Sequence, residues 1–201
     1  MSAAGNLNAK INLRHASVLL VESNQHAVDT LAQIMTGLGV GEVHRAMSAE
    51  EADNIVRNKS VDLIIIEPSL RDSDGFAFIK ELRLSRREPA CSVPVIIISS
   101  LVHPSDVSRA RDTGANFVVA KPITPNILIQ RVLWIGRDKR PFVDVGHYVG
   151  PDRRFKVEGP PPNMNGRRST DVDSRLGDAS APNMSQNEID GFIRPQRVSL
   201  D

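Results

Sequence analysis

The stretch Val61-Asp62-Leu63-Ile64-Ile65-Ile66-Glu67-Pro68-Ser69-Leu70-Arg71-Asp72-Ser73-Asp74-Gly75 decides the fold. Its unbroken aliphatic run has the composition of a strand buried on both faces, as in a parallel sheet covered by helices. The run ends at Glu67, and a polar loop follows it. A carboxylate therefore stands where the strand emerges. In open α/β sheets the ligand crevice lies beyond the carboxyl ends of the strands, so Glu67 is the first candidate functional residue.

On either side, four more short apolar runs alternate with helical patterns: 18–21, 42–46, 95–99 and 117–120, with 61–66 as the third of five. The second is mixed in polarity and reads as an edge strand. Helix starts are marked chemically. Ser48-Ala49-Glu50-Glu51 is a capping box. His103-Pro104 and Thr124-Pro125 put proline at a first helical position, where its missing N–H costs nothing. Gly39 and Gly114 follow helical stretches and suit left-handed C-terminal caps. Five β-α repeats with right-handed crossovers predict an α/β, doubly wound sandwich. After about residue 140 the periodicity fails and Pro, Gly, Asn, Arg and Ser take over, including Pro160-Pro161-Pro162. The expected organisation is an extension over 1–15, one domain over 16–138 and a largely disordered tail over 139–201.

Composition narrows the function classes. The 25 Lys+Arg and 24 Asp+Glu leave a net charge of +1, so no global field points to nucleic acid or membrane. Cys91, the lone cysteine, is read as a loop residue and cannot form an internal disulfide, which fits a reducing compartment and a cytoplasmic location. The N-terminus lacks the apolar core of a signal peptide, and no run approaches the roughly 20 residues of a membrane span. His15, His26, His44, His103 and His147 are scattered without ligand spacing. Arg153-Arg154 and Arg167-Arg168 are interleaved with acids, whereas phosphate-driven binding needs several unopposed cations, so no nucleic-acid partner is expected.

The strand ends collect polar groups at one edge: Glu22 and Ser23 after the first strand, Glu67 after the third, Ser99 and Ser100 after the fourth, Lys121 after the fifth. With Val18-Leu19-Leu20-Val21-Glu22-Ser23, Asp62 through Glu67 with Asp74-Gly75, Pro94 through Ser100, and Gly114-Ala115-Asn116 through Lys121-Pro122, residues 16–136 resemble the receiver domain of bacterial response regulators. The resemblance implies a CheY/flavodoxin-like (βα)5 fold with strand order 2-1-3-4-5. It further implies that Glu67 occupies the phosphoacceptor position, Glu22 and Ser23 the acidic pair that helps hold Mg²⁺, and Ser99 and Lys121 the groups that contact the phosphoryl oxygens. Lys121-Pro122 matches the bond usually cis in receivers, and X-Pro is the common place for one.

Two departures concern the chemistry. Receivers use aspartate at the acceptor, and the extra methylene of Glu67 moves its carboxylate outward by on the order of 1 Å, enough to cost about 10²-fold in a positioned reaction. Ser23 replaces a charged Mg²⁺ ligand, and this hard cation wants oxygen ligands in near-octahedral array. No cofactor is expected, and Mg²⁺ binding through Glu22, Ser23 and Glu67 is expected to be weak. A longer acid facing Lys121 suggests a permanent ion pair, a partial mimic, since phosphate carries about −1.5 to −2 charges.

A third departure concerns output, because Val118 stands where receivers commonly carry a swinging aromatic, and a β-branched side chain has few rotamers. In the last helix, 125–136, Ile135, Leu128, Val132, Ile129 and Leu133 span an arc of about 160°, wider than one core stripe. The resemblance implies that the face of the fourth and fifth helices and the fifth strand serves dimerisation and effector binding, which makes Phe117, Ile129, Leu133 and Trp134 the candidate partner surface and the last helix a candidate homodimer contact; cover by Pro141-Phe142-Val143 is the alternative. Ser185-Gln186-Asn187-Glu188 before Ile189, Phe192 and Ile193 reads as a short motif that folds on a partner.

The reading that follows is a pseudo-receiver, not an enzyme, acting by phosphorylation-independent protein–protein interaction in bacterial signalling. Its partners would be a histidine kinase, a phosphotransferase or another response regulator. The alternatives are a phosphorylatable regulator whose acceptor is Glu67, Asp72 or Ser69, and, more weakly, a DNA-directed regulator.

Overall fold

Alternation along each strand builds two cores from one sheet. A computed structural model describes residues 12–71, 73–100, 102–138 and 140–152. Its strands β1 (Ser17–Val21), β2 (Glu42–Ala46), β3 (Leu63–Ile66), β4 (Val95–Ser99) and β5 (Phe117–Ala120) form a parallel sheet in the order β2-β1-β3-β4-β5. Successive side chains of a strand point to opposite faces. Leu19, Val21, Ile64, Ile66, Val95, Ile97 and Val118 thus fill one core, under α2 (Ala49–Asn58), α3 (Gly75–Leu84) and α4 (Pro104–Asp112). Val18, Leu20, Leu63, Ile65, Ile96, Ile98, Phe117 and Val119 fill the other, under α1 (Gln25–Gly37) and α5 (Pro125–Ile135). This is the α/β doubly wound architecture with the 2-1-3-4-5 order, and β2, with Glu42 and Arg45 exposed, is an edge.

The local signals act as their chemistry requires. Ser48 Oγ accepts from Glu51 N at 3.1 Å, and Thr124 Oγ1 accepts from Ile127 N at 3.3 Å. Gly39 and Gly114 adopt φ of +83° and +85°. Lys121-Pro122 is cis, as is Glu88-Pro89. Among the described residues no helix is long and apolar enough to cross a membrane.

Both expected domain boundaries fall inside the packed body. At the N-terminal side, Leu13 rests against the α1/α5 core and its carbonyl accepts from Gly41 N at 3.0 Å. At the other end, β6 (Phe142–Asp144) and β7 (Val149–Pro151) form an antiparallel hairpin with Tyr148 and Val149 buried, so the chain is ordered past 138. Two three-residue strands are too short for periodicity to reveal them. Ser185 to Ile193 and the rest of 153–201 lie outside the described residues.

The hairpin docks beside Arg83 and Gly114. Arg83, on α3, is 1% exposed; its Nε and Nη2 donate to Gly114 O, both at 3.2 Å, and its Nη1 donates to Cys91 O at 2.7 Å. The Phe142 ring lies 5.0 Å from its guanidinium carbon. Pro141-Phe142-Val143 therefore approaches α3 rather than covering the last helix, because the buried cation offers the ring a better contact. A Cβ added to Gly114 would lie 2.4 Å from Val149 O. Gly114→Ala is expected to cost about 2 kcal/mol through the left-handed backbone and this clash. Urea denaturation checks it, and a loss below about 0.5 kcal/mol would mean that the hairpin yields freely.

Cys91 is not a loop residue: it sits in a 3-10 turn (Ala90–Ser92), 3% exposed. Burial and a hydrogen bond to Glu88 push its thiol up to about 11, so it is unreactive at neutral pH.

Candidate functional site

Strand register brings the two carboxylates together. β1 and β3 pair with Val21 opposite Ile66, so Glu22 and Glu67 are the next residues along two adjacent strands. β5 pairs with β4 through Ala120 and Ser99, which puts Lys121 one step past that pair, at the same edge. Glu22 is 3% and Glu67 8% exposed, and Lys121 spans the distance between strands with its four-carbon stem. Its Nζ lies 2.7 Å from Glu22 Oε2 and 2.8 Å from Glu67 Oε2.

The lysine is thus shared by two acids. Burial works against its charge, but hydrogen bonds to Glu22 and Glu67 outweigh burial and hold its pKa above the ordinary value. The remaining oxygens are also directed: Glu22 Oε1 accepts from Asn24 N at 2.9 Å, and Glu67 Oε1 faces Ser69 N at 3.4 Å. Backbone bonds at 3.0 Å from Glu22 N to Ala46 O and 2.9 Å from Glu67 N to Val21 O pin both residues.

The residues that would hold Mg²⁺ are Glu22, Ser23 and Glu67: the ion takes one or two carboxylates and keeps several waters, and here both carboxylates are ion-paired with Lys121 while Ser23 is an uncharged, half-buried hydroxyl. Among the described residues no group of three or more His, Cys, Asp or Glu side chains could hold a metal. Ser99 is buried, and its carbonyl accepts from Lys121 N at 2.8 Å.

Val118 is 2% exposed, packed on the α2/α3/α4 side of the sheet. Of the residues expected at a partner surface, Phe117 lies elsewhere: it is 3% exposed, in the α1/α5 core. Trp134 meets it edge-on with centroids 4.5 Å apart, and Arg140 covers Trp134 at 4.8 Å. Ile129 and Leu133 are half-buried. Arg131, which interrupts the apolar pattern of α5, is itself buried with its guanidinium 5.4 Å from the Phe117 ring.

Two groups were not identified from sequence in their present roles. Glu22 was a metal candidate rather than a lysine partner; the register of adjacent strand ends could have suggested it. Arg109, ion-paired with Asp74, carries no local signal.

The match to known proteins follows this geometry. The family model described as "Response regulator receiver domain" matches residues 18–133, more than half of the chain. The "Gliding motility regulatory protein" of Myxococcus xanthus is 36% identical over 104 residues, covering 52% of this chain and 13% of that protein. The transcriptional regulatory protein KdpE of Staphylococcus aureus is 28% identical over 121 residues, covering 60% and 50%. The chain thus spans half or less of the length of these curated relatives. Chemotaxis protein CheY4 of Vibrio cholerae shares the fold at a TM-score of 0.56 and 21% identity, covering 60% of this chain and 98% of that one. The family match and the strand order agree, and the chain belongs to the response regulator receiver domain family of two-component signalling.

Proposed function

We propose that this receiver domain is a pseudo-receiver: a protein-binding module recognised by its signalling partners without being phosphorylated. The observation that carries this reading is the ammonium of Lys121, held 2.7 and 2.8 Å from two carboxylates at the acceptor edge. An incoming phosphoryl group would bring further negative charge to Glu67, beside Glu22, and would have to win Lys121 from Glu22 as well. Glu67 is also a poorer acceptor than aspartate by its length, and the donor set offers Mg²⁺ little. Its partners would be histidine kinases, phosphotransferases or other response regulators, for which it would compete with phosphorylatable receivers.

The test is incubation with Mg²⁺ and either acetyl phosphate or beryllofluoride, followed by intact mass and Trp134 fluorescence. The expected result is an unchanged mass and no saturable signal. A stoichiometric phosphoryl adduct on Glu67 would overturn the reading.

A second reading keeps a specific observation in its favour: Ser99 and Lys121 stand together at the ends of β4 and β5. On that basis the domain would take phosphate from a kinase at Glu67, Asp72 or Ser69. Phosphopeptide mapping after kinase exposure separates the two readings, and an empty map removes this one.

A further inference from the structure

The α4 helix buries little apolar surface: Val107 and Ala110 are the buried residues among its nine, and a segment that buries so little opens at low free energy. A side-chain contact joins it to the acceptor edge. Arg109 projects from α4, ion-pairs with Asp74 Oδ2 and lies over the Phe76 ring at 4.5 Å.

Asp74 is well placed to receive it. Its Oδ1 accepts from Phe76 N at 2.9 Å as the cap of α3, which fixes the carboxylate and leaves Oδ2 turned to Arg109. Across the loop, Asp74 forms an isolated antiparallel bridge with Ser69, and Ser69 N faces Glu67 Oε1 at 3.4 Å. A continuous set of contacts thus runs from Lys121 through Glu67, Ser69 and Asp74 to Arg109. Val118, buried and β-branched on the adjacent strand, offers no side chain that swings between states.

We propose that Arg109 is a latch that holds α4 to the loop between β3 and α3, and that it couples the Glu67 edge to the α4 surface. An exposed ion pair alone stabilises little, and an exposed cation over an aromatic ring does so modestly. Here both act through one guanidinium on one capped loop, and they act on a helix that buries little apolar surface. The inference goes beyond the pseudo-receiver reading, because it concerns how α4 is held whether or not Glu67 accepts a phosphoryl group.

Amide hydrogen exchange at peptide resolution, on the full chain without phosphodonor, tests it with Arg109→Met, Asp74→Asn and the double variant. Asparagine caps a helix as well as aspartate, so Asp74→Asn removes the latch and keeps the cap. Each single variant is expected to raise exchange in α4 about fivefold, or about 1 kcal/mol at 1.4 kcal/mol per tenfold. The double variant should add nothing further, the loop over 69–74 should loosen together with α4, and α2 should be unchanged. Unchanged α4 exchange in Arg109→Met, or additive effects in the double variant, would overturn the latch. A loop that stays protected while α4 loosens would overturn the coupling. Because no phosphodonor is present, a later finding of phosphorylated Glu67 would defeat the pseudo-receiver reading alone.

Discussion

Replacing Lys121 by methionine is expected to lower the unfolding free energy by about 3–4 kcal/mol at pH 7, because breaking a buried ion pair leaves uncompensated charge. Glu22 and Glu67 are nearly sealed from solvent and share this one ammonium. Oxygens 2.7 and 2.8 Å from one ammonium lie no more than about 5.5 Å apart, and like charges at that range repel by roughly 3 kcal/mol or more at an effective dielectric constant of 20. Methionine matches the stem of lysine, so packing is preserved and charge is what the variant removes. Urea denaturation at pH 7 checks the result. Glu67→Gln in the same background should recover most of the loss. A loss below about 1 kcal/mol, the scale of a surface pair, would show that Lys121 is a solvated charge and would remove the support for a fixed state.

The pH dependence of the unsubstituted protein follows from the same ion pair. Burial disfavours the Lys121 charge, the bonds to Glu22 and Glu67 overcome it, and the folded pKa lies above the ordinary 10.5. A base with a raised folded pKa contributes its stability fully below the unfolded value and loses it as pH rises through the folded value. Unsubstituted protein should therefore converge on the Lys121→Met variant only above about pH 10.5. Convergence near neutrality would contradict the shared ion pair.

Arg83→Met is expected to cost about 3 kcal/mol. Arginine 83 has no carboxylate in contact among the described ion pairs; burial pushes it down to about 10, and the carbonyls of Gly114 and Cys91 accept its hydrogen bonds. Methionine strands two buried acceptors at about 1–3 kcal/mol each and loses the contact with Phe142. It regains some of this by ending the cost of a buried charge. Chemical denaturation gives the magnitude, and limited proteolysis should show earlier cleavage within 140–152 as the hairpin loosens. Arg83→Lys should recover little, because an ammonium cannot fork between two carbonyls as a guanidinium does. An Arg83→Met protein with unaltered stability and unaltered cleavage would mean that Tyr148 and Val149 dock the hairpin unaided.

The legibility of this protein follows the length scale of each signal. Aliphatic runs such as Ile64-Ile65-Ile66 and Ile96-Ile97-Ile98 announce strands buried on both faces, since nothing else tolerates such continuity at that length. Caps at Ser48 and Thr124 are local chemistry and read directly. Arg131 and Arg83 were invisible as core residues because a pattern of apolar and polar letters assigns arginine to solvent, while its stem and flat guanidinium pack well when carbonyls or a ring receive them. Trp134 illustrates the converse. Its place on a broad apolar face suggested a partner, and in the fold it is half-buried, meeting Phe117 edge-on with Arg140 over its ring.

The sequence by itself determined the alternation of strands and helices, the choice of a doubly wound parallel sheet, and the arrival of Glu22, Glu67, Ser99 and Lys121 at one edge of it. All of these rest on periodicity and on the rule that strand carboxyl ends line the crevice. Only the tertiary structure decided that Lys121 bridges both glutamates, that Arg109 ties α4 to Asp74, and that a hairpin past residue 140 seals Arg83. Each of those depends on distances between side chains far apart in the chain, and such distances are set by strand register and helix packing rather than by neighbouring residues.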